Sequence, residues 1–299
     1  MTQGELAVEL PPRLFSATPL FSATPSRLDS WLDCPRRYRF SYVDRPTPPK
    51  GPPWAHNTLG AAVHTTLHSW WLLPLPDRTV AAARRLMHEK WVTLGFRDDQ
   101  QAEEWRDRAA DMVERYVETL DPADEPLGVE RTVGMKTARL ALSGRIDRLD
   151  RRGDELVVVD YKTGRHLLST DDARGSLALA VYAAAASRMF RRRCVRVELH
   201  HLPTGDVIEW EHSEASLQRQ LNRIESIGIE AADTHAALAA ADNSPEALES
   251  LFPPRSGPHC GWCDFYDHCA AGKQAAPQRV RSWAGLASEI TSTVDEVVD

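Results

Sequence analysis

Two alternating runs separated by Gly153-Asp154 constrain this chain more than any other stretch. Gly144-Arg-Ile-Asp-Arg-Leu-Asp150 leads through Arg151-Arg152 into that turn, and Glu155-Leu-Val-Val-Val-Asp-Tyr-Lys-Thr-Gly164 leads away from it. Period-two alternation on both sides of a Gly-Asp pair specifies a β-hairpin. With Arg151 opposite Asp154, Asp147 faces Val158 and Asp160 faces Arg145, so the two aspartates are diagonal neighbours about 7–8 Å apart at the backbone. Asp147, Asp160 and Lys162 then share one face, while Ile146, Val157 and Val159 occupy the opposite, buried one.

Two carboxylates at that spacing can hold one divalent cation. Magnesium and manganese take oxygen ligands and keep several waters, so two aspartates plus a substrate phosphate suffice. A neighbouring ammonium orients the attacking water and stabilises charge on phosphorus. Together these groups describe metal-assisted phosphodiester hydrolysis. The competing reading is a surface hairpin whose polar face happens to be charged. Against it, Asp160-Tyr161-Lys162 is the one acid-x-Lys in a chain with only five lysines, and it ends an apolar strand.

Upstream of the hairpin the periodicity is helical. Ser26–Tyr42 reads as a helix with Leu28, Trp31, Leu32 and Tyr38 on one face, followed by a proline-rich stretch from Pro46 to Pro53. A helix capped by Asn57 or Thr58 runs to about Trp71, and further helices fit 79–94 and 99–120. On the first, Gly60 and His64 lie one turn apart, so the glycine admits close approach to a sheet and the histidine points into the contact. His68, a turn later, is an alternative ligand, or the two histidines could bind zinc as a pair. Strands are expected at 128–133, 137–150, 155–161, 195–202 and 207–212, with helices at 171–190 and 214–240. The fold class is thus α/β, a central mixed sheet flanked by helices, with residues 1–25 as a loose leader, 26–272 as one domain and 273–299 as a tail.

Cys260-Gly-Trp-Cys263 with Cys269 forms a C-x2-C-x5-C array in a loop rich in proline and glycine. Three close thiols point to a metal site that a fourth must close, and Cys34 is favoured over Cys194, whose place in an apolar strand suits an ordinary buried thiol. Such a set can hold a 4Fe-4S cluster or zinc, and His259 and His268 keep zinc open. Either would clasp the N- and C-terminal parts of the domain together.

The order Cys34, Gly60-x3-His64, Gly144-Arg-Ile-Asp147, Asp160-Tyr-Lys162 and Cys260, Cys263, Cys269 resembles the RecB-like branch of the PD-(D/E)xK nucleases, in particular stand-alone RecB-family exonucleases. The resemblance covers residues 26–272. It implies a restriction-endonuclease-like core, magnesium or manganese held by His64, Asp147, Asp160 and the Tyr161 main-chain carbonyl, and Lys162 as the catalytic lysine. It also implies a 4Fe-4S cluster on Cys34, Cys260, Cys263 and Cys269, as in the AddB helicase-nuclease subunit and the CRISPR-associated RecB-like exonucleases. The family's Gln-x3-Tyr motif keeps its tyrosine as Tyr182 but has Ala178 in place of glutamine. Arg174 or Ser176 could supply the missing polar contact to DNA. Glu130 sits where an extra acid sometimes occurs, although a solvated strand residue is the simpler expectation.

The implied activity is DNA hydrolysis at ends or single strands, in repair or recombination. Alternatives are a non-catalytic DNA-binding or assembly module with a structural metal site, and a CRISPR-adaptation nuclease. There is no P-loop, so processive attack on duplex would need a separate helicase. With 36 basic and 43 acidic residues the net charge is −7, which excludes a sequence-blind basic coat for DNA but not a local stripe. Arg36, Arg37 and Arg39, and Arg191, Arg192 and Arg193, are candidates for such a stripe. The odd cysteine count, the absence of a long apolar run and the lack of a signal-peptide pattern at Met1–Glu9 lead to the expectation of a cytoplasmic protein.

Overall fold

The computed structural model describes residues 20–286, so residues 1–19 of the expected leader and 287–299 of the expected tail lie outside the described residues. In chain order the elements are β1 (Phe21–Ala23), α1 (Pro25–Asp33), α2 (Pro35–Tyr42), α3 (Ala55–Trp71), α4 (Val80–Lys90) and α5 (Asp99–Glu118). There follow β2 (Gly128–Lys136), β3 (Leu140–Arg152), β4 (Glu155–Lys162), α6 (Thr170–Gly175), α7 (Leu177–Phe190), β5 (Arg193–His201) and β6 (Asp206–Glu211). The described chain ends with α8 (Glu214–Ala240), α9 (Pro245–Leu251) and α10 (Ala270–Ala275).

One mixed sheet organises these elements. Its strands run β1-β3-β4-β5-β6, with β2 along the other side of β3. The β1–β3 and β4–β5 pairs are parallel and the rest antiparallel. The parallel β4–β5 pair needs a crossover, which α6 and α7 supply. The long strand β3 shares one edge between two partners: β1 pairs with Leu140–Leu142 and β4 with Arg148–Arg152. Residues 143–147 fall in the opening between them.

Both faces of the sheet are buried. On one, Ile146, Leu149, Leu156, Val158 and Val197 pack with α1, α7 and α8. On the other, Val157, Val159 and Tyr161 pack with α3, α4 and α5 around Leu67, Trp70 and Val113. Each such large side chain contributes roughly 1.5–3 kcal/mol on burial. The expected grouping of Ile146 with Val157 and Val159 is therefore corrected: Ile146 lies in the layer of Val158, and Val157 and Val159 lie in the other.

Several boundaries also move. Phe21–Ala23, inside the expected leader, is a strand, because backbone pairing to β3 rather than side-chain pattern defines it. The single helix expected over 26–42 is two, since Pro35 lacks an N–H and Cys34 is extended, with α2 starting on the proline. The helix expected over 171–190 breaks at Ser176, whose hydroxyl caps α7 by accepting the Leu179 N–H. Neither Asn57 nor Thr58 caps α3, which begins at Ala55, and Thr58 donates its hydroxyl to the Leu94 carbonyl at 2.9 Å. The tail packs back as far as Leu286, which is buried in the second core layer with Trp283 against it.

The hairpin turn lies one residue further along the chain than expected. Arg152, not Arg151, begins the turn and pairs with Glu155, and Gly153 adopts φ +62°, the left-handed conformation a two-residue hairpin requires. The register thus shifts by two residues. An even shift preserves which face each side chain meets, but it brings Asp147 and Asp160 level rather than diagonal.

Candidate active site and metal centre

The opening in the β3 edge builds the site. Pairing with β4 ends at Arg148–Val159, and one residue further Asp147 Oδ2 accepts the main-chain N–H of Tyr161 at 2.8 Å. A carboxylate thus replaces the next rung of the ladder. From α3, His64 Nδ1 lies 3.3 Å from Asp147 Oδ1, while Nε2 lies 3.1 Å from the Tyr161 carbonyl oxygen. Gly60 on α3 lies close to the end of β4, where a Cβ would meet Thr163 Oγ1 at 3.1 Å.

Glu130 completes the cluster. The expectation of a solvated strand residue is overturned: its backbone takes φ +48°, breaking the β2 pattern opposite Asp147, and its carboxylate turns inward to pair with Arg145 at 2.7 Å. Positive φ in a non-glycine residue is uncommon and is retained where the surroundings hold it. Among the described residues, His64, Glu130 and Asp147 each offer a ligand atom within 4.8 Å of the others. His68 lines the same cavity of about 750 Å³ without joining that group.

Asp160 and Lys162 stand beside this trio at the end of β4. Lys162 Nζ forms an ion pair with Asp160 Oδ2 at 2.6 Å. Burial raises the Asp160 carboxyl above its ordinary value, reinforced by Asp147 and opposed by Lys162 and His64. Burial would lower the Lys162 ammonium, but Asp160 and Asp147 outweigh it and the net shift is upward. His64 follows the same balance, burial opposing and Asp147, Asp160 and Glu130 prevailing to raise it. Imidazole and carboxylate donors fit a hard divalent cation.

The opposite wall is Tyr182 on α7. Its ring lies over Gly144, where a Cβ would sit 2.3 Å from Tyr182 Cε1. Burial, with Asp160 and Asp147 nearby, pushes its phenol up to about 12. Ser176 and Arg174 do not line this cavity: Ser176 caps α7, and Arg174 pairs with Asp171 at 2.9 Å and lies over Trp210.

These elements match the model of the PD-(D/E)XK nuclease superfamily over residues 22–270. The chain belongs to that superfamily. Members of the PD-(D/E)XK nuclease superfamily hydrolyse phosphodiester bonds of DNA with divalent metals such as magnesium or manganese. None of the curated proteins matches the chain. Among solved structures it is similar to a candidate exonuclease from Eubacterium rectale, with 9% identity, TM-score 0.47, and 87% of this chain and 93% of that one covered. It is also similar to the protein SSO0001, with 12% identity, TM-score 0.35 and coverages of 86% and 89%. At these values neither bears on what this superfamily member does.

A second constellation lies at the junction of α1 and α2. Cys34, Cys260, Cys263 and Cys269 line one cavity of about 490 Å³, whereas Cys194 is buried in β5. Main-chain N–H groups of Arg255, Gly257 and Gly272 donate to the sulfurs of Cys34, Cys260 and Cys269 at 3.4, 3.4 and 3.3 Å. Burial pushes the Cys263 thiol up, partly offset by a main-chain hydrogen bond from Phe265. Trp54, preceding α3, donates Nε1 to Asp264 at 2.8 Å, which ties this loop to the helix carrying His64.

Five of the six arginines expected as a DNA stripe make ion pairs with carboxylates of this chain. Arg36 pairs with Glu249 at 2.6 Å and donates to the Phe252 carbonyl, Arg37 pairs with Asp33 at 3.1 Å, and Arg39 pairs with Asp44 and Glu249. Arg191 closes α7 in the left-handed conformation, Arg192 lies 3.9 Å from Asp154, and Arg193 bridges Glu155 and Glu211. No described helix is long and apolar enough to cross a membrane.

Proposed function

We propose that this protein is a magnesium- or manganese-dependent DNA exonuclease acting on ends or single strands in repair or recombination. The observation that carries the reading is the meeting of His64, Glu130 and Asp147 within 4.8 Å beside the Asp160–Lys162 pair. His64, Glu130, Asp147 and Asp160, with the Tyr161 carbonyl, would hold the cation. A divalent cation bound there supplies Lewis acidity that polarises the phosphate and lowers the pKa of the attacking water. Asp160 holds the Lys162 ammonium, whose charge offsets the negative charge growing on the phosphate oxygens. Tyr182 bounds the cavity on the other side, and its ring offers a surface against which a sugar or base can lie.

Cys34, Cys260, Cys263 and Cys269 form in this reading the ligand set of a 4Fe-4S cluster. It is supported by four sulfurs on one cavity with main-chain hydrogen bonds to them, a feature that tunes cluster thiolates. Such a cluster joins the α1–α2 junction to the loop after α9.

The test is an assay of purified protein on end-labelled single-stranded, duplex and circular DNA with magnesium or manganese. Metal-dependent release of short products from linear DNA, lost in Asp160→Ala and Lys162→Ala, is expected. Cleavage that persists in both variants overturns the site, and cutting of circles overturns exonuclease action.

A further inference from the structure

Behind the site, on the sheet face covered by α5, six polar side chains close a ring. Arg148 Nη1 donates to Tyr116 Oη at 3.1 Å, and Tyr116 Oη lies 2.8 Å from His200 Nδ1. His200 Nε2 lies 3.0 Å from Glu198 Oε2, which also accepts from Arg152 Nη2 at 2.9 Å. Arg152 Nη2 reaches Asp150 Oδ2 at 3.1 Å, and Asp150 Oδ2 accepts from Arg148 Nη2 at 2.9 Å. The directions are set by chemistry. Arg148 only donates and the Glu198 carboxylate only accepts, so His200 Nε2 carries a proton toward Glu198, and in the neutral imidazole Nδ1 accepts from Tyr116 Oη. Two guanidinium groups face two carboxylates, so every charge has an opposite partner within the ring. Arg148, Glu198 and His200 are buried, at 4%, 1% and 7% exposure, while Arg152 forms the exposed edge of the ring.

Such a network costs desolvation free energy, and hydrophobic residues could fill the same space at comparable stability. What distinguishes it is its neighbour. The Tyr161 ring, 3% exposed, packs edge-on against Tyr116 at 5.5 Å and His200 at 6.4 Å. The same ring meets His64 at 5.8 Å. Meanwhile the Tyr161 main chain is held on both sides by the site, its N–H by Asp147 and its carbonyl by His64. Arg148 is moreover the residue next to Asp147. Two independent routes, through the Tyr161 ring and along the β3 backbone, therefore join the ring to the proposed metal ligands.

We propose that Arg148, Tyr116 and His200 are positioning residues that fix Tyr161 and Asp147 in the geometry that binds the cation. This rests on the metal site proposed above. Outer-shell partners of metal ligands typically change affinity or activity by about 10- to 100-fold when removed.

The test measures Mn2+ binding to the DNA-free protein by electron paramagnetic resonance, together with thermal unfolding. Tyr116→Phe, which deletes one hydroxyl and keeps the ring, is expected to weaken Mn2+ binding about 10-fold, and Arg148→Met by about 10- to 100-fold. Val197→Ala, a truncation in the opposite core layer, is expected to lower the unfolding temperature with unchanged Mn2+ affinity. If Tyr116→Phe and Arg148→Met lower only the unfolding temperature, as Val197→Ala does, the positioning role is overturned. If the wild type shows no Mn2+ site that Asp147→Ala abolishes, it is the metal-site reading beneath it that fails.

Discussion

Asp147 on β3 accepts the main-chain N–H of Tyr161 on β4 at 2.8 Å, so a side chain takes over where the backbone ladder between the two strands stops at Arg148–Val159. The two strands part at that point, and there His64 from α3 and the carboxylate of Glu130 from β2 come close to Asp147. The site is thus a consequence of β3 exchanging β4 for β1 along one edge.

Glu130 is expected to matter as much as its neighbours. Glu130→Gln keeps the shape and the hydrogen-bonding oxygen but removes a charge from the trio, and should raise the half-saturating magnesium concentration on the order of 10-fold. Magnesium titration of cleavage rate checks this, and an unchanged midpoint removes Glu130 from the ligand set.

Gly144→Ala places a methyl group against the Tyr182 ring. Overpacking of this kind costs about 1–3 kcal/mol. The double variant Gly144→Ala/Tyr182→Ala should show less destabilisation than the sum of the singles in urea unfolding, because the clash has lost its partner. Simple additivity would mean that the two positions do not meet.

The cysteines should separate into two classes. Cys194 is buried in β5 and its thiol is pushed up to about 12 by burial, so it holds almost no thiolate at pH 8. In folded protein stripped of metal, mass spectrometry after iodoacetamide treatment should find Cys34, Cys260, Cys263 and Cys269 modified before Cys194. Anaerobically purified protein should carry iron and acid-labile sulfide. Colourless protein with stoichiometric zinc overturns the cluster while leaving the four ligands in place.

His235 gives the fold an acid limit. Burial, with Arg27 adding to it, lowers this imidazole from 6.5 to about 4, and Tyr38 Oη lies 2.9 Å from its Nε2. The unfolded chain binds a proton near 6.5 while the folded one stays neutral until about 4, so stability is lost as pH falls through that window. Discounted for partial solvent exposure, the loss amounts to roughly 1–2 kcal/mol. In His235→Gln, denaturation followed between pH 7 and 4 should show a shallower decline; an identical slope assigns the loss to other groups.

Local pattern was enough for much of this molecule. Alternation around Gly153-Asp154 specified the hairpin, and because faces repeat every two residues, a register two residues off still put Asp147 and Asp160 together. Helices α4, α5 and α8 end within a few residues of where their apolar spacing and caps place them. Where pattern was silent the misses have one cause. Phe21–Ala23 is a strand only because β3 has an edge to offer it, and Glu130 turns inward only because the ladder breaks opposite Asp147. Arg36 and Arg39 look free in sequence and are held by Glu249, more than 200 residues away.

The sequence by itself determined where to look for chemistry, since the acid-x-Lys, the aspartate before it and the cysteine array are local patterns. Only the tertiary structure decided who joins them. Membership depends on distances across strands and helices far apart in the chain, and those distances follow from how β3 divides its edge and how closely α3 lies to the end of β4 at Gly60.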